Sequence, residues 1–518
     1  MAGRAGTVEL AARVVTLMRG GISKMALVRN FACLGVAVGA VGICGAQGLP
    51  TQYKVPPATP EIAAHIQKVE NGLVGPVVLK GDAATHSLAD RMKQLNVPGV
   101  SIAVLHNGKI EWARGYGVAS VGGPPVTPDT MFQAGSISKP VAAMAALKLV
   151  EQGKLSLDAD INTELKSWKL PSDPVQGGKP VTLRELLTHT GGTTVHGFPG
   201  YASTVPVPTL VQVLNGEKPA NTPAIRSEAA PMARWNYSGG GFTIMQQATI
   251  DGAGEPFPKL LHDTVLEPIG MTHSTYEQPL PSRFASYAAT PYGGDGKPVA
   301  GGAHTYPELA AAGLWTTPTD ILRYAMEVEL SLEGKANHVL SADMTRQMVT
   351  PGMGNWGLGL EIGGETGNQY FSHGGVNEGF ISLFVAYGKG GNGAAVMTNS
   401  DNGNALTDEV MRAVATAYGW PDWHPKVRAA VPADARMLAG YAGTYGLSPN
   451  FDLVLTMEGG QLMMQPTGQQ KATLYPESDS KFFLTIVDAE VEIQKDGSGK
   501  VIGLILNQGG HEMKAARK

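Results

Sequence analysis

Two strand-patterned regions lie far apart in this chain, with a long helix-forming stretch between them. The first is VPGVSIAVLHNGKIEWARGYG, Val97 to Gly117. Two apolar runs there flank Asn107-Gly108, the dipeptide most favoured in tight hairpins. The second runs from Gly357 to Asn399 as GLGLEIG, NQYFSHGG, GFISLFVAYG and AAVMTNS. Between them lie VAAMAALKLVEQG, VTLRELLTHT and TTPTDILRYAMEVEL. The last begins with Thr317 as N-cap, Pro318 at the first helical position and Asp320 completing a capping-box pattern. Apolar strands at both ends of such a region must find partners. The expected fold is therefore α/β: one antiparallel sheet drawn from both ends and flanked by helices, plus a mainly helical region.

A second change of texture falls at YGWPDWHP, Tyr418 to Pro425. From Ala433 to Lys518 the chain turns to short alternating runs such as FDLVLTM and AEVEIQ, broken by EGGQ, KDGSGK and NQGG. This predicts a small all-β domain, a barrel or curved sheet. With 518 residues the chain exceeds one ordinary domain. The expected division is a signal peptide over 1–46, a linker over 47–69, the large domain over 70–425 and the β-rich domain over 433–518.

The amino terminus has the pattern of an export signal. FACLGVAVGAVGICGA, Phe31 to Ala46, is apolar, follows Arg29 and ends in a small-x-small site at Cys44 and Ala46. It is shorter than the ~20 residues of a membrane span. Met25 makes a better start than Met1, because it leaves a short basic end before the apolar run. An exported, periplasmic protein without a membrane span in its mature form is the expectation. Lipidation at Cys44 is disfavoured by the bulk of Ile43. The two cysteines, Cys33 and Cys44, both lie inside this segment, so the mature chain has no thiol for catalysis, disulfides or metal binding. A net charge of −4 without a Lys/Arg block argues against a nucleic-acid partner.

Several catalytic signatures are missing. There is no G-x-S-x-G elbow, no Gly-rich loop ending in GK-Ser/Thr, and no H-E-x-x-H. No metal and no cofactor are expected. Three short motifs remain, in this order: Ser136-Ile137-Ser138-Lys139, then Tyr237-Ser238-Gly239, then His373-Gly374-Gly375 on a predicted strand. Ser136 and Lys139 are spaced to share a helix face. A serine becomes a nucleophile when a base relieves it of its proton, and a buried lysine supplies such a base. A helix cap is the plain alternative for Ser136, and packing is the plain alternative for Tyr237. Ser138 is read as structural, His189 in LLTHTGG as a satisfied turn residue supporting the site, and Trp315 and Trp356 as core or pocket wall.

With LLTHTGG and LEPIGMTHST flanking them, the three motifs resemble those of the serine β-lactamase and penicillin-binding-protein superfamily. The likeness is to its class C-like branch of D-amino-acid peptidases and β-lactamase-like esterases, over roughly residues 70–420. The resemblance implies Ser136 as acylated nucleophile, Lys139 as its partner, Tyr237 as proton shuttle and His373 in place of the usual strand lysine. It further implies an oxyanion hole from the backbone N–H groups of Ser136 and Val376. Gly239, Gly374, Gly375 and Asn377 become candidate substrate contacts, with Glu378 beside them. Gly239 replaces an asparagine that many relatives use to grip an acylamino group. Both that change and His373 weaken the case for an efficient β-lactamase.

The function expected from these residues is acyl-enzyme hydrolysis of amide or peptide bonds in small or unusual peptides, with small-molecule or peptide substrates. Ester hydrolysis comes next and β-lactam cleavage third. The rivals are a silent penicillin-recognising sensor and a chain whose carboxy-terminal module does the binding.

Overall fold

In the computed structural model, residues 59–82 and 84–518 are described, so the expected signal segment lies outside them. Residues 60–69, inside the expected linker, form a helix that runs from Pro60 to Asn71. Among the described residues no helix is long and apolar enough to cross a membrane. The chain divides into two compact units. One holds residues 59–69 and Leu88–Asp422, the other Glu70–Ser87 and Trp423–Lys518.

The larger unit is built on a six-stranded sheet. Its strands are β1 (Gly99–His106), β2 (Lys109–Gly117), β3 (Glu361–Gly363), β4 (Tyr370–Asn377), β5 (Phe380–Tyr387) and β6 (Gly393–Thr398). The order is β2-β1-β6-β5-β4-β3 and every pairing is antiparallel. As expected, strands from both ends of the helical stretch meet, at β1 and β6. Asn107 and Gly108 both take positive φ, 51° and 73°, and close the β1–β2 hairpin with His106 opposite Lys109. Almost every residue of β1, β5 and β6 is buried, so these strands carry cover on both faces.

Four helices matter for the site: α1 (Ser138–Glu151), α2 (Gly239–Ala253), α3 (Pro318–Leu332) and α4 (Gly403–Tyr418). Helices α3 and α4 pack on the central strands. Thr317 caps α3 by accepting from Asp320 N at 3.2 Å. The Asp320 carboxylate does not return the favour. It is buried and accepts instead from His273 N and Ser274 Oγ, both at 2.8 Å, so the capping box is only half formed.

The smaller unit contains a closed eight-stranded antiparallel barrel over residues 443–517. Its strands alternate inward and outward, with Phe451, Leu453 and Leu455, then Ala489, Val491 and Ile493, on the buried face. Residues 70–87, expected in the large domain, belong to this unit. Val77–Leu79 forms a parallel ladder with Lys426–Arg428, and that pairing outweighs sequence position.

Strand β4 pairs with β3 only through residues 370–372. Beyond that point its outer edge closes on the turn Gly135–Ile137, and glycine makes this approach possible. A Cβ at Gly375 would sit 1.9 Å from Ala134 O, whereas one at Gly374 would meet nothing nearer than Ser382 O at 3.9 Å. Gly375→Ala is therefore expected to lose ~3 kcal/mol or more in urea unfolding, while Gly374→Ala stays within ~1 kcal/mol of wild type.

Candidate active site

The turn Gly135–Ile137 is a 3-10 helix that runs directly into α1. Three residues per turn place positions i and i+3 on top of one another, which stacks Lys139 over Ser136. Lys139 Nζ lies 2.9 Å from Ser136 Oγ and donates to Ala311 O at 2.8 Å. The Ser136 side chain caps neither helix, and it is half-buried. Ser138 is structural, as read: its hydroxyl donates to Gly135 O at 2.6 Å and accepts from Leu314 N at 2.9 Å.

Lys139 is buried at the head of an apolar helix. Burial lowers its pKa to about 7, because a cation loses hydration that two hydrogen-bond partners do not replace.

Tyr237 comes from the segment before α2. Ser238 caps that helix by accepting from Gly241 N at 3.0 Å, which fixes the preceding tyrosine. Lys139 Nζ sits over the phenol ring, 5.0 Å from its centroid. The hydroxyl is buried with no partner at full hydrogen-bond geometry, though the Ser136 side chain stands close enough to act on it. Burial pushes the phenol well above its ordinary pKa, and the nearby Ser136 side chain offsets only part of this. The phenolate form is thus disfavoured. Lysine meets the ring face, and its charge does not pair with the oxygen.

His373 lies on β4, where residues 373, 375 and 377 share the buried face while Gly374 and Val376 point outward. Its Nδ1 is 2.5 Å from Gly374 O. A carbonyl only accepts, so Nδ1 carries the hydrogen and the neutral ring presents Nε2 as a lone pair. Nε2 is buried without a partner. Burial first, then the Lys139 charge, drops the His373 pKa to about 3. The imidazole is neutral at pH 7.

Val376 is 55% exposed, and its backbone N lies 2.4 Å from where a Gly135 Cβ would stand, beside the Ser136 turn. Asn377 turns inward. Its amide donates to Gln133 Oε1 at 2.9 Å and Ala312 O at 3.0 Å, leaving only Oδ1 unpartnered. Glu378 is half-buried, and its backbone N donates to the Tyr306 hydroxyl at 3.2 Å. Trp315 is core, packed edge-on against Phe380.

His189 is half satisfied, not fully. It takes a positive φ of 58°, and its Nδ1 accepts from Ser238 N at 3.1 Å while buried Nε2 has no partner. Its ring stacks 4.2 Å from that of Tyr237. Trp356 is wall, as expected, with its ring 5.8 Å from Tyr237 and 5.4 Å from His373. Sequence reasoning missed Trp235, which leans on Trp356 at 5.6 Å. It also missed Phe198 and the carbonyl of Ala311, a backbone group with no residue-type signal. Glu308, fully buried with neither carboxylate oxygen bonded, was missed too; burial raises its pKa to about 8.

A sheet built from strands on both sides of the helical stretch, with a serine–lysine turn held against its β4 strand, defines a serine hydrolase architecture. Residues 85–418 match the family described as Beta-lactamase, and the chain belongs to that family, whose members include peptidases, esterases and β-lactamases. Residues 427–517 match a domain of unknown function, DUF3471. The chain is 28% identical over 215 residues to Esterase EstB of Burkholderia gladioli, covering 40% of this chain and 53% of that protein. It is 26% identical over 238 residues to the D-alanyl-D-alanine-carboxypeptidase/endopeptidase AmpH of Escherichia coli, covering 44% and 57%. In fold it is similar to an octameric penicillin-binding protein homologue from Pyrococcus abyssi, with TM-score 0.57, 22% identity, and 82% and 98% of the two chains covered.

Lysine's depressed pKa has a thermodynamic sign. The unfolded lysine titrates near 10.5 and the folded one near 7, so protonation opposes folding, increasingly as pH falls from 10.5 to 7 and constantly below. Lys139→Met is expected to gain stability over wild type across that window, by up to about 5 kcal/mol before the lost hydrogen bonds are subtracted. Tm measured from pH 6 to pH 10 checks this: the gap must widen toward low pH and then level.

Proposed function

We propose that the protein is an exported serine hydrolase that acts through an acyl-enzyme on amide or peptide bonds of small or unusual peptides, of the D-residue or cell-wall type. The observation that carries this is Lys139, buried, 2.9 Å from Ser136 Oγ and titrating near pH 7. A neutral amine there accepts the serine proton as Oγ bonds to the substrate carbonyl carbon. The carbonyl electron pair moves onto oxygen, which the N–H groups of Ser136 and Val376 receive. When the tetrahedral adduct collapses, the C–N bond breaks and the departing amine recovers the proton that Lys139 took from Ser136. The Tyr237 hydroxyl donates to the amine as it accepts in turn from the ammonium, which leaves the ring face to reach it. Water then attacks the acyl ester by the same steps in reverse. His373 offers its Nε2 lone pair to the Tyr237 hydroxyl or to a substrate N–H. Gly239 and Gly374 border the substrate, and Asn377 acts behind them by holding Ala312. The domain limits and the export segment Phe31 to Ala46 stand on the sequence pattern.

Ester hydrolysis is the second reading. His373 is neutral, so it supplies no cation to grip a substrate carboxylate, and EstB is among the relatives.

A fluorescent alkyl phosphonate is expected to label wild type and not Ser136→Ala; equal labelling would remove Ser136 from the chemistry. With the best substrate among D-aminoacyl amides, linear peptides, p-nitrophenyl esters and nitrocefin, kcat/KM should rise about tenfold per pH unit up to about 7 and then level. Lys139→Arg, which keeps its charge, is expected to lose roughly a hundredfold or more. A profile flat through pH 5 to 8 would sink the lysine as base.

A further inference from the structure

Phe198 belongs to no motif, yet it stands where a side chain at position 239 would go. A Cβ on Gly239 would lie 2.8 Å from Phe198 Cε2 and 3.3 Å from Cδ2. Gly239 is two residues beyond Tyr237, at the first turn of α2, and is itself a candidate substrate contact, so the Phe198 ring takes the place a side chain there would fill. The loop that carries Phe198 is pinned on both sides. His196 Nδ1 donates to Tyr237 O at 2.5 Å, and Gly240 N donates to Val195 O at 2.8 Å. Beyond the ring, His304 Nδ1 meets Pro199 O at 2.9 Å. Gly240 allows this crossing, since a Cβ there would strike Thr194 O at 2.3 Å. Phe198 packs against the core on one side and remains half-buried.

Tyr237 itself has aromatic neighbours. Trp356 lies edge-on to it and to His373, with Trp235 behind. Both heterocycles facing this space are neutral at pH 7, and position 239 contributes no polar group. A substrate portion entering here meets ring carbons, and the neighbouring Glu228 carboxylate is already engaged by Asn236 at 2.5 Å and lies 3.5 Å from His196.

We propose that Phe198, standing at position 239, together with Trp356 beside Tyr237, forms an apolar subsite that selects substrates carrying a hydrocarbon group next to the reacting carbonyl. This rests on the acyl-enzyme reading of Ser136. The group is contributed by the acyl half or by the leaving half of the substrate, and the two are separable by experiment.

One arm varies the acyl chain of p-nitrophenyl esters from acetate to hexanoate. The other varies the alcohol of acetate esters from ethyl to hexyl. In one arm wild-type kcat/KM is expected to climb about fourfold per added methylene. Phe198→Ala should flatten that climb to twofold or less, while Phe198→Leu, which keeps an apolar side chain, retains most of it. Gly239→Ala should also flatten it by displacing the ring. Slopes that Phe198→Ala leaves unchanged in both arms overturn the subsite, as does a wild type indifferent to chain length. The p-nitrophenolate burst, one per active site and lost in Ser136→Ala, reports the acyl-enzyme separately. A burst with unchanged slopes removes the subsite alone; no burst and no ester turnover removes both.

Discussion

Burying one lysine amine without a counter-ion sets the terms for everything around it. An ammonium taken from water into an apolar helix head is strongly disfavoured, and two neutral oxygens, Ser136 Oγ and Ala311 O, are its hydrogen-bond partners. Ala311 ends a single helical turn, Leu309–Ala312. The last carbonyls of any helix lack intrahelical partners, and here each is taken by a side chain. Lys139 takes Ala311 O, Asn377 takes Ala312 O and Gln278 takes Gly313 O. Gln246 clamps the start of the same turn, donating to Pro307 O and accepting from Ala310 N. The turn that carries the lysine's acceptor is thus held by three other side chains from distant segments, Asn377, Gln278 and Gln246.

Around this centre, burial acts in the same direction on each titratable ring: it removes charge. His189 and His373 lose the cationic form, and Tyr237 loses the phenolate. Of the four candidate side chains, only Lys139 changes charge near pH 7. A site of this kind holds one movable proton in a largely buried aromatic shell, where each hydrogen bond to a developing oxyanion is worth more than in water.

Much of this was legible in sequence where the governing physics is local. Asn107-Gly108 specifies its turn, Ser136 and Lys139 are three apart, and β4 alternates as its residues require. What stayed hidden is long-range. Phe198 reaches Gly239 across a loop whose course depends on three consecutive glycines and on His196. Ala311 acts through its carbonyl, which every residue type possesses. Asp320 fits a capping pattern, yet His273 and Ser274 capture its carboxylate because they offer donors in a buried place. Residues 70–87 leave the large unit because a three-residue ladder pairs them with Lys426–Arg428. Composition carries no trace of that.

Glycine shows how one residue type serves different ends within a few positions. Gly375 is required by the fold, since Ala134 O occupies the space of its Cβ. Gly374 has room for a side chain on the exposed face, so the internal packing does not explain its smallness. Gly239 is emptied for the Phe198 ring. The family resemblance joins all three under one label, candidate substrate contact. The structure separates strand-to-turn apposition at 375 from ring accommodation at 239. At 374 no protein atom competes for the space, so neither account applies there.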